Sequence, residues 1–264
     1  HNDSVTILQK EFKPIGRSFC SGFSAIEHVT FPTYGIQFHP EVSHTEEGNK
    51  ILDNFIKICQ IKKIKKWSSE NFIFDASQKY KKIVRQNTIL VAVSGGVDSM
   101  TLVALLSKIF KKKQILAVYV DSGLMPFETQ DEVKKFCQQY GINLLVENCS
   151  ELFFKKLRGI IDPTQKGLVI GRTFIKVFEK IAQRKKIHFF SQCTIWSDVV
   201  ESGVTKFSSQ IKPHHNVGGL PKELPFTLLE PLRELFKDQV RMMASFLKLP
   251  DAVITKKVFP GPGF

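Results

Sequence analysis

The residues with the clearest potential for chemistry are six small residues between Ser94 and Ser99. They read Ser-Gly-Gly-Val-Asp-Ser and follow an apolar run that predicts a buried strand. Gly95 and Gly96 carry no side chain, so their backbone N–H groups can approach an anion closely. The two serine hydroxyls can bind phosphate oxygens, and the helix predicted after the loop adds its positive end. We therefore predict a pyrophosphate site in an ATP-binding loop formed by Ser94, Gly95, Gly96, Val97, Asp98 and Ser99.

Two carboxylates accompany this loop. Asp98 lies inside it, and because a carboxylate does not attract phosphate directly, we expect Asp98 to bind Mg²⁺ or to brace the loop. Asp121 ends a second apolar run and precedes a glycine turn. We expect Asp121 to contact adenosine or a metal, with capping of the next helix as the alternative. The loop has neither the Gly-Lys-Ser/Thr of a Walker loop nor a Gly-x-Gly-x-x-Gly pattern, so a different mode of ATP binding is predicted.

Two later segments carry basic side chains that could reach an anion. Asp162 and Pro163 predict a turn, and we expect Lys166 to lie on a mobile loop that closes over phosphates, with a solvated lysine as the alternative. The paired histidines at 214–215 are adjacent, so in an extended segment their side chains point to opposite sides, and no third ligand is spaced nearby. We therefore expect Lys212 and one of the two imidazoles to contact an anion, and we do not expect a metal site there.

Alternating strands and helices must position these residues. The predicted strands cover 88–93, 115–121, 142–147 and 188–192, and the predicted helices cover 100–110, 129–140, 168–183 and 230–248. Such alternation is typical of a parallel sheet with right-handed crossovers. Ligands of these sheets bind beyond the carboxyl ends of the strands. The predicted fold class is α/β, a parallel twisted sheet with helices on both faces.

The first part of the chain has a different pattern. A strand is predicted over 34–38, followed by His39-Pro40-Glu41 and by a helix over 48–59. Residues 61–86 are rich in lysine and lack a long apolar run, which favours a linker with a short amphipathic helix. We therefore predict three parts: the end of a larger unit over 1–60, a linker over 61–86, and the nucleotide-binding domain over 87–264.

The composition restricts the class of protein. The 264 residues, 42% hydrophobic and 24% charged, are typical of a globular chain. No apolar run reaches the roughly 18 residues of a membrane helix, and no signal segment follows His1, so we expect no membrane partner and a cytoplasmic location. The five cysteines include no Cys-x-x-Cys pair, so neither zinc nor disulfides are predicted. The net charge of +13 attracts anionic ligands, but the lysine runs lack interleaved aromatics, so nucleic acid is not expected as a partner.

Taken together, these motifs resemble a known family. The loop at 94–99 resembles that of the ATP-pyrophosphatase superfamily, whose members cleave ATP between the α and β phosphates. Segments 192–202, 214–221, 230–238 and 259–263 look like those of the glutamine-hydrolysing GMP synthetases, and the resemblance covers nearly the whole chain. It implies an adenine nucleotide alpha hydrolase-like fold and a ligase that aminates xanthosine monophosphate (XMP) to GMP through an adenylated intermediate, releasing AMP and pyrophosphate. It also implies substrate or lid contacts by Lys166, Asp198, Lys212 and His215.

The N-terminal residues resemble a second family. Segment 34–42 is similar to the end of a class I glutamine amidotransferase, and 1–3 matches an earlier loop of it. The resemblance implies that His39 takes the thiol proton of a nucleophilic cysteine and that Glu41 orients the His39 imidazole. No cysteine here has the Gly-rich context of that nucleophile, so we do not expect this chain to hydrolyse glutamine by itself. By comparison with the family we expect a homodimer formed through a C-terminal domain that is missing after Phe264.

Several positions depart from the family pattern and leave alternatives open. Cys193 stands where the family usually has Gly, Trp196 where it has Tyr or Arg, and 256–258 where it has Arg-His-Pro. One alternative is another ATP-pyrophosphatase, such as a tRNA-thiolating enzyme or an NAD synthetase, although a thiolating enzyme should bring a catalytic cysteine pair. The other alternative is a catalytically degenerate paralogue that acts as a regulatory module.

Overall fold

The computed structural model describes residues 4–42, 44–61, 67–201 and 226–256. The chain forms two compact units, His1–Lys66 and Trp67–Phe264. None of the helices in the described part of the chain combines the length and the apolar character needed to cross a bilayer.

The first unit contains a three-stranded antiparallel sheet. Its strands are β1 (Phe12–Ser18), β2 (Ser21–His28) and β3 (Tyr34–Ile36), in the order β1-β2-β3, and helix α1 (Gly48–Ile58) follows. The sequence predicts β3 and α1 but not the β1–β2 hairpin. Pro14 and Gly16 interrupt the alternation of β1, and the strand pairing shifts register on both sides of Gly16. Gly16 also lies so close to β2 that an added Cβ would be 2.9 Å from the Cβ of Ala25.

The second unit contains the five-stranded parallel sheet. Its strands are β4 (Ile89–Ala92), β5 (Ile115–Asp121), β6 (Asn143–Asn148), β7 (Phe189–Ser191) and β8 (Thr227–Leu229). Its helices are α2 (Ser69–Val84), α3 (Val97–Ile109), α4 (Thr129–Tyr140), α5 (Ser150–Leu157), α6 (Pro163–Lys185), α7 (Trp196–Glu201), α8 (Lys237–Phe246) and α9 (Asp251–Ile254). The predicted α/β fold class is confirmed.

The strand order predicts a crevice at the carboxyl ends of two neighbouring strands of this sheet. The order is β6-β5-β4-β7-β8, and each neighbouring pair is parallel. The chain therefore moves outward from β4 through β5 to β6 and then returns to the other side of β4 to form β7 and β8. A reversal of this kind opens a crevice at the carboxyl ends of the two central strands. These are β4, which leads into the loop at 94–99, and β7, which leads into residues 192–194.

Side chains of the central strands alternate between two apolar cores. Ile89 and Val91 of β4 lie in the core formed with α2, α3, α4 and α8, whereas Leu90 lies in the core formed with α5 and α6. Ala117 and Val118 of β5 divide in the same way. All five side chains are fully buried, with 0% of their surface exposed. The sheet is thus covered by helices on both faces.

The segment predicted as a linker contains a core helix. Helix α2 begins after Ser68, whose hydroxyl accepts a hydrogen bond from the Asn71 backbone N–H at 3.2 Å. Tyr80 and Val84 of α2 are buried in the core of the second unit. The helix therefore belongs to the nucleotide-binding unit, although its many lysines hide this in the sequence pattern.

Candidate active site

The loop at 94–99 is held together by one buried hydroxyl. Ser99 Oγ accepts a hydrogen bond from the Ser94 backbone N–H at 3.2 Å and donates one to the Gly96 carbonyl at 3.0 Å. The Ser94 hydroxyl also donates to Ser99 Oγ at 3.2 Å. Ser99 is only 1% exposed, whereas Ser94 is exposed. Ser99 therefore braces the loop, whereas ligand contact by the exposed Ser94 stays a prediction.

We expect Ser99→Ala to destabilise the second unit by about 1–2 kcal/mol, because three hydrogen bonds lose their shared partner. Urea unfolding followed by tryptophan fluorescence checks this, since both tryptophans, Trp67 and Trp196, lie in the second unit. Ser94→Ala is the matched control and should change the free energy of unfolding by less than about 0.5 kcal/mol. An equal loss of unfolding free energy in Ser99→Ala and Ser94→Ala would contradict the bracing role of Ser99.

Gly95 lets the loop pass close to helix α4. Its φ is +82°, in the left-handed region that side chains other than glycine rarely adopt. A Cβ at this position would lie 2.6 Å from Thr129 Cγ2 and 3.3 Å from Val133 Cγ2. Gly96 then forms the N-cap of α3 with no side chain over the helix terminus. The N-terminus of α3 thus has no side-chain cap, and binding of an anion by the backbone amides of this turn stays a prediction.

The carboxylate of Asp98 has a partner that the sequence did not reveal. Lys237 Nζ lies 2.7 Å from both Asp98 oxygens. Lys237 is the first residue of α8, 139 positions later in the chain. No group of three or more His, Cys, Asp and Glu side chains suited to a metal occurs among the residues that the structure describes. Asp98 itself is a hard oxygen donor at the phosphate loop, which suits Mg²⁺ shared with substrate phosphates.

A polar network follows β7, the second of the two strands at which the strand order reverses. The Glu230 carboxylate accepts hydrogen bonds from Gln192 Nε2 at 3.0 Å, from the Thr194 hydroxyl, and from Arg233 Nη1 at 2.6 Å. Gln192 Nε2 also donates to Thr194 Oγ1 at 3.0 Å. These contacts tie the carboxyl end of β7 to the segment after β8. The sequence pattern predicts no role for these residues, because their contacts span 36 and 38 positions.

Cys193 lies in the chain between Gln192 and Thr194, two members of this network. Burial raises the pKa of its thiol to about 12, and the nearby carboxylates of Asp98 and Asp198 contribute to the increase. At pH 8 only roughly one thiol in ten thousand would then be ionised. Cys193 therefore stays a neutral group beside the loop, and it is not a candidate nucleophile.

Alkylation tests this assignment. In the folded chain at pH 8, iodoacetamide should modify the exposed Cys20 and Cys59 and leave Cys193 unmodified over the same period. Peptide mass spectrometry reads each site, and alkylation in urea, where Cys193 should react fully, is the control. Modification of Cys193 at the rate of Cys59 in the folded chain would contradict a half-buried, protonated thiol.

Asp121 ends strand β5, which pairs with β4, the strand that leads into the loop at 94–99. Its Oδ1 accepts the Gly123 backbone N–H at 2.9 Å, so the carboxylate shapes the turn that follows. Gly123 has φ +71°, and a Cβ there would be 2.7 Å from Phe154 Cζ. The alternative of helix capping is not observed, because α4 begins only at Thr129 with Glu128 at the N-cap. Contact of Asp121 with adenosine or a metal stays a prediction.

The structure corrects the position of Lys166. The sequence prediction placed it on a mobile loop before a helix at 168, but α6 begins at Pro163 and contains it. The Asp162 side chain caps this helix by accepting the Gln165 N–H at 2.8 Å, and proline is favoured at the first helical position. Lys166 is exposed in the first helical turn.

The remaining predicted contact residues are distributed as follows. Asp198 lies in α7, half-buried, and its Oδ2 accepts the Ile195 backbone N–H at 3.0 Å. Lys212 and His215 lie outside the described residues. The helix predicted over 230–248 is shorter, since α8 covers Lys237–Phe246 and a turn precedes it. The contacts of Glu230 hold the preceding residues as a turn and explain this later start.

In the first unit, His39 and Glu41 lie together as predicted from the His-Pro-Glu motif. Glu41 Oε1 is 2.9 Å from His39 Nδ1, and both side chains are 60% exposed. A backbone hydrogen bond at Glu41, together with the hydrogen bond from His39, lowers the pKa of the Glu41 carboxyl. An ionised carboxylate on Nδ1 favours the tautomer in which that nitrogen carries the proton. This geometry suits a general base whose other ring nitrogen acts on a nucleophile.

Two protein families match the chain. The PP-loop domain family matches residues 68–250, and class-I glutamine amidotransferase matches residues 1–59. Several relatives carry the name GMP synthase [glutamine-hydrolyzing]. The relative from Clostridium acetobutylicum is 43% identical over 266 residues, and those from Thermosipho africanus and Thermus thermophilus are 40% identical over 271 and 264 residues. Each alignment covers 100% of this chain but 51–52% of the relative, so the chain spans about half their length.

Solved structures support the fold. An NH3-dependent NAD synthetase from Campylobacter jejuni superposes with a TM-score of 0.57 at 13% identity, covering 71% of this chain and 77% of that one. The U34-tRNA thiolase NcsA from Methanococcus maripaludis gives a TM-score of 0.53 at 20% identity, covering 74% and 69%. These likenesses show a shared architecture, whereas the relatives at 40–43% identity confirm the family resemblance seen in the motifs.

Proposed function

The chain belongs to the PP-loop domain family, with a class-I glutamine amidotransferase segment before that domain, and on this premise we propose that it serves the ATP-dependent amination of XMP to GMP. The observation that carries the proposal is the glycine turn at 95–96, between the end of β4 and the start of α3, in a chain whose relatives are named GMP synthase. The neighbouring NAD synthetase and tRNA thiolase share only the fold, so they give the alternatives less support.

The proposed reaction has two steps. The O2 oxygen of XMP attacks the α-phosphorus of ATP, the bond from that phosphorus to the bridging oxygen breaks, and pyrophosphate leaves. Ammonia then attacks C2 of the adenylated base, AMP departs with the C2 oxygen, and loss of a proton from nitrogen gives GMP. The backbone amides of Gly95 and Gly96 hold the leaving pyrophosphate and stabilise its developing charge. Mg²⁺, held by Asp98 and phosphate oxygens, would neutralise part of the same charge.

We place the other predicted residues around this chemistry. Asp121, at the carboxyl end of the adjacent strand β5, contacts the adenosine or the metal. Lys166, Asp198, Lys212 and His215 contact XMP or the closing lid, as the family resemblance implies. Each of these assignments is part of the proposal and can be tested by substituting that residue alone.

Ammonia would come from glutamine. In this part of the proposal His39 accepts the thiol proton of a nucleophilic cysteine in the remainder of the amidotransferase domain, and Glu41 orients the imidazole. The 2.9 Å contact between His39 and Glu41 supports these roles. We further propose that the protein works as a homodimer in the cytoplasm, where its nucleotide substrates occur.

Isotope exchange tests the proposal. With the 264-residue chain, Mg²⁺ and ATP, labelled pyrophosphate should enter ATP only when XMP is added, because the first step is reversible. Exchange without XMP would contradict the proposed order. Tight ATP binding with no exchange, and no GMP formed from ammonia and XMP, would instead indicate the degenerate paralogue. Indifference to XMP, with tRNA binding that falls steeply with salt, would favour a tRNA-modifying enzyme.

A further inference from the structure

The ion pair between Asp98 and Lys237 occupies the carboxylate that the proposed function assigns to the metal. Lys237 Nζ lies 2.7 Å from each of the two Asp98 oxygens, so one ammonium engages both metal-binding atoms. About a quarter of each side chain is exposed, 27% for Lys237 and 26% for Asp98. The pair is therefore reachable from solvent. An ammonium that contacts both oxygens competes with Mg²⁺ for Asp98.

The two residues of this ion pair lie at helix N-termini, which favour the charge of only one of them. Asp98 lies in the first turn of α3, where the positive helix end favours an anion. Lys237 lies in the first turn of α8, where the same effect disfavours a cation. The ammonium at this position thus gains its stabilisation from an anion facing α8. In the nucleotide-free protein that anion is Asp98, and phosphate oxygens at the 94–99 loop would offer an alternative.

The packing of the two helices allows the ammonium to move without the backbone. Val240 and Met243 of α8 are buried in the same core as Met100 and Leu102 of α3, so the two helices are fixed against each other. The lysine side chain, by contrast, is a flexible four-carbon stem with a compact charge. Rotation about its bonds can carry the ammonium by several ångströms, whereas the aspartate side chain is short and stays at the loop.

We propose that Lys237 guards the Asp98 carboxylate in the nucleotide-free protein, in the sense that its ammonium competes with metal ions for the two oxygens. When Mg²⁺–ATP binds, the ammonium moves to phosphate oxygens, and Asp98 binds the metal. Lys237 is then a binding and positioning residue that couples the arrival of the metal to that of the nucleotide. Free metal binds poorly because it must displace the Lys237 ammonium from Asp98 without bringing another anion for it. Metal with ATP binds well because the phosphates supply that anion. This inference rests on the proposed function for its choice of nucleotide, but its first test needs no nucleotide.

Binding of Mn²⁺ alone, followed by electron paramagnetic resonance, is that test. Lys237→Met keeps the length of the side chain and removes its charge, so the released Asp98 should bind Mn²⁺ at least about tenfold more tightly than the unaltered chain does. Lys134→Met is the matched control, because it removes one ammonium from another exposed ion pair, with Asp131 at 3.1 Å, and should change little. The double variant Lys237→Met with Asp98→Asn should lose the gain. Equal Mn²⁺ affinity for Lys237→Met and Lys134→Met would overturn the proposal.

A crystal structure with Mg²⁺ and α,β-methylene-ATP provides the second test. We expect the ammonium of Lys237 on a phosphate oxygen and the metal on Asp98 at about 2.1 Å. An ammonium that stays on both Asp98 oxygens in this complex would overturn the proposal. If the nucleotide does not bind at the 94–99 loop, the proposed function fails, while the Mn²⁺ measurement still decides whether Lys237 guards the carboxylate.

Discussion

Gly95→Ala is expected to lower the affinity for ATP at least about tenfold. The left-handed backbone at φ +82° costs any residue with a Cβ about 1–2 kcal/mol, and the new methyl group would lie 2.6 Å from Thr129 Cγ2. Helix α4 is anchored in the core through Val133 and Phe136, so it is the loop that must shift. The backbone N–H groups of the loop would then no longer point toward the phosphates of ATP. Titration calorimetry with Mg²⁺–ATP measures the change.

A second glycine separates backbone strain from damage to the site. Gly141, at the end of α4, has φ +62°, and a Cβ there would meet only the flexible Lys112 side chain, whose Nζ would be 2.9 Å away. Gly141→Ala should therefore destabilise the second unit by about 1 kcal/mol and leave ATP affinity unchanged. ATP binding by Gly95→Ala at the level of Gly141→Ala would show that the turn at Gly95 does not form the nucleotide site.

Glu230→Ala is expected to destabilise the second unit by about 2–4 kcal/mol. The substitution removes the acceptor shared by Gln192, Thr194 and Arg233, and it leaves the Arg233 guanidinium without its carboxylate. Hydrogen bonds to a charged group are stronger than those between neutral groups, and this carboxylate is only 13% exposed. Urea unfolding followed by tryptophan fluorescence measures the loss.

The neighbouring Glu234 provides the control for this variant. Glu234 is exposed and lies in the same turn, so Glu234→Ala removes an equal charge and should change the free energy of unfolding by less than about 0.5 kcal/mol. If the two variants unfold alike, the network after β7 does not stabilise the crevice.

The parts of the site that the sequence predicted are those with local causes. Strand β5 and helix α4 have the predicted ends, Ile115–Asp121 and Thr129–Tyr140, because apolar period and turn residues mark both ends within the segment itself. The turn at Gly95 was recognised because two glycines follow a buried strand. The bracing role of Ser99 was not separated from that of Ser94, since the two hydroxyls differ only in burial, which depends on the packed helix.

The parts that the sequence did not predict depend on distant contacts or on competing local signals. Lys237 reaches Asp98 across 139 positions, and nothing in the segment around Lys237 indicates that partner. Its helix was predicted to begin at 230, because apolar residues continue in helical spacing through a segment that tertiary contacts of Glu230 hold as a turn. Lys166 was placed on a loop because Asp162-Pro163 is both a turn signal and a helix start, and capping by Asp162 decides for the helix.

The position at which ATP is cleaved tests the central claim most directly. The chain is incubated with ATP labelled at the α-phosphate, Mg²⁺, XMP and ammonium, and the labelled product is identified by chromatography. Backbone amides at Gly95 and Gly96 that hold pyrophosphate as the leaving group predict labelled AMP, formed in equal amount with GMP. Labelled ADP would mean that the γ-phosphate is the group transferred, and it would contradict the account.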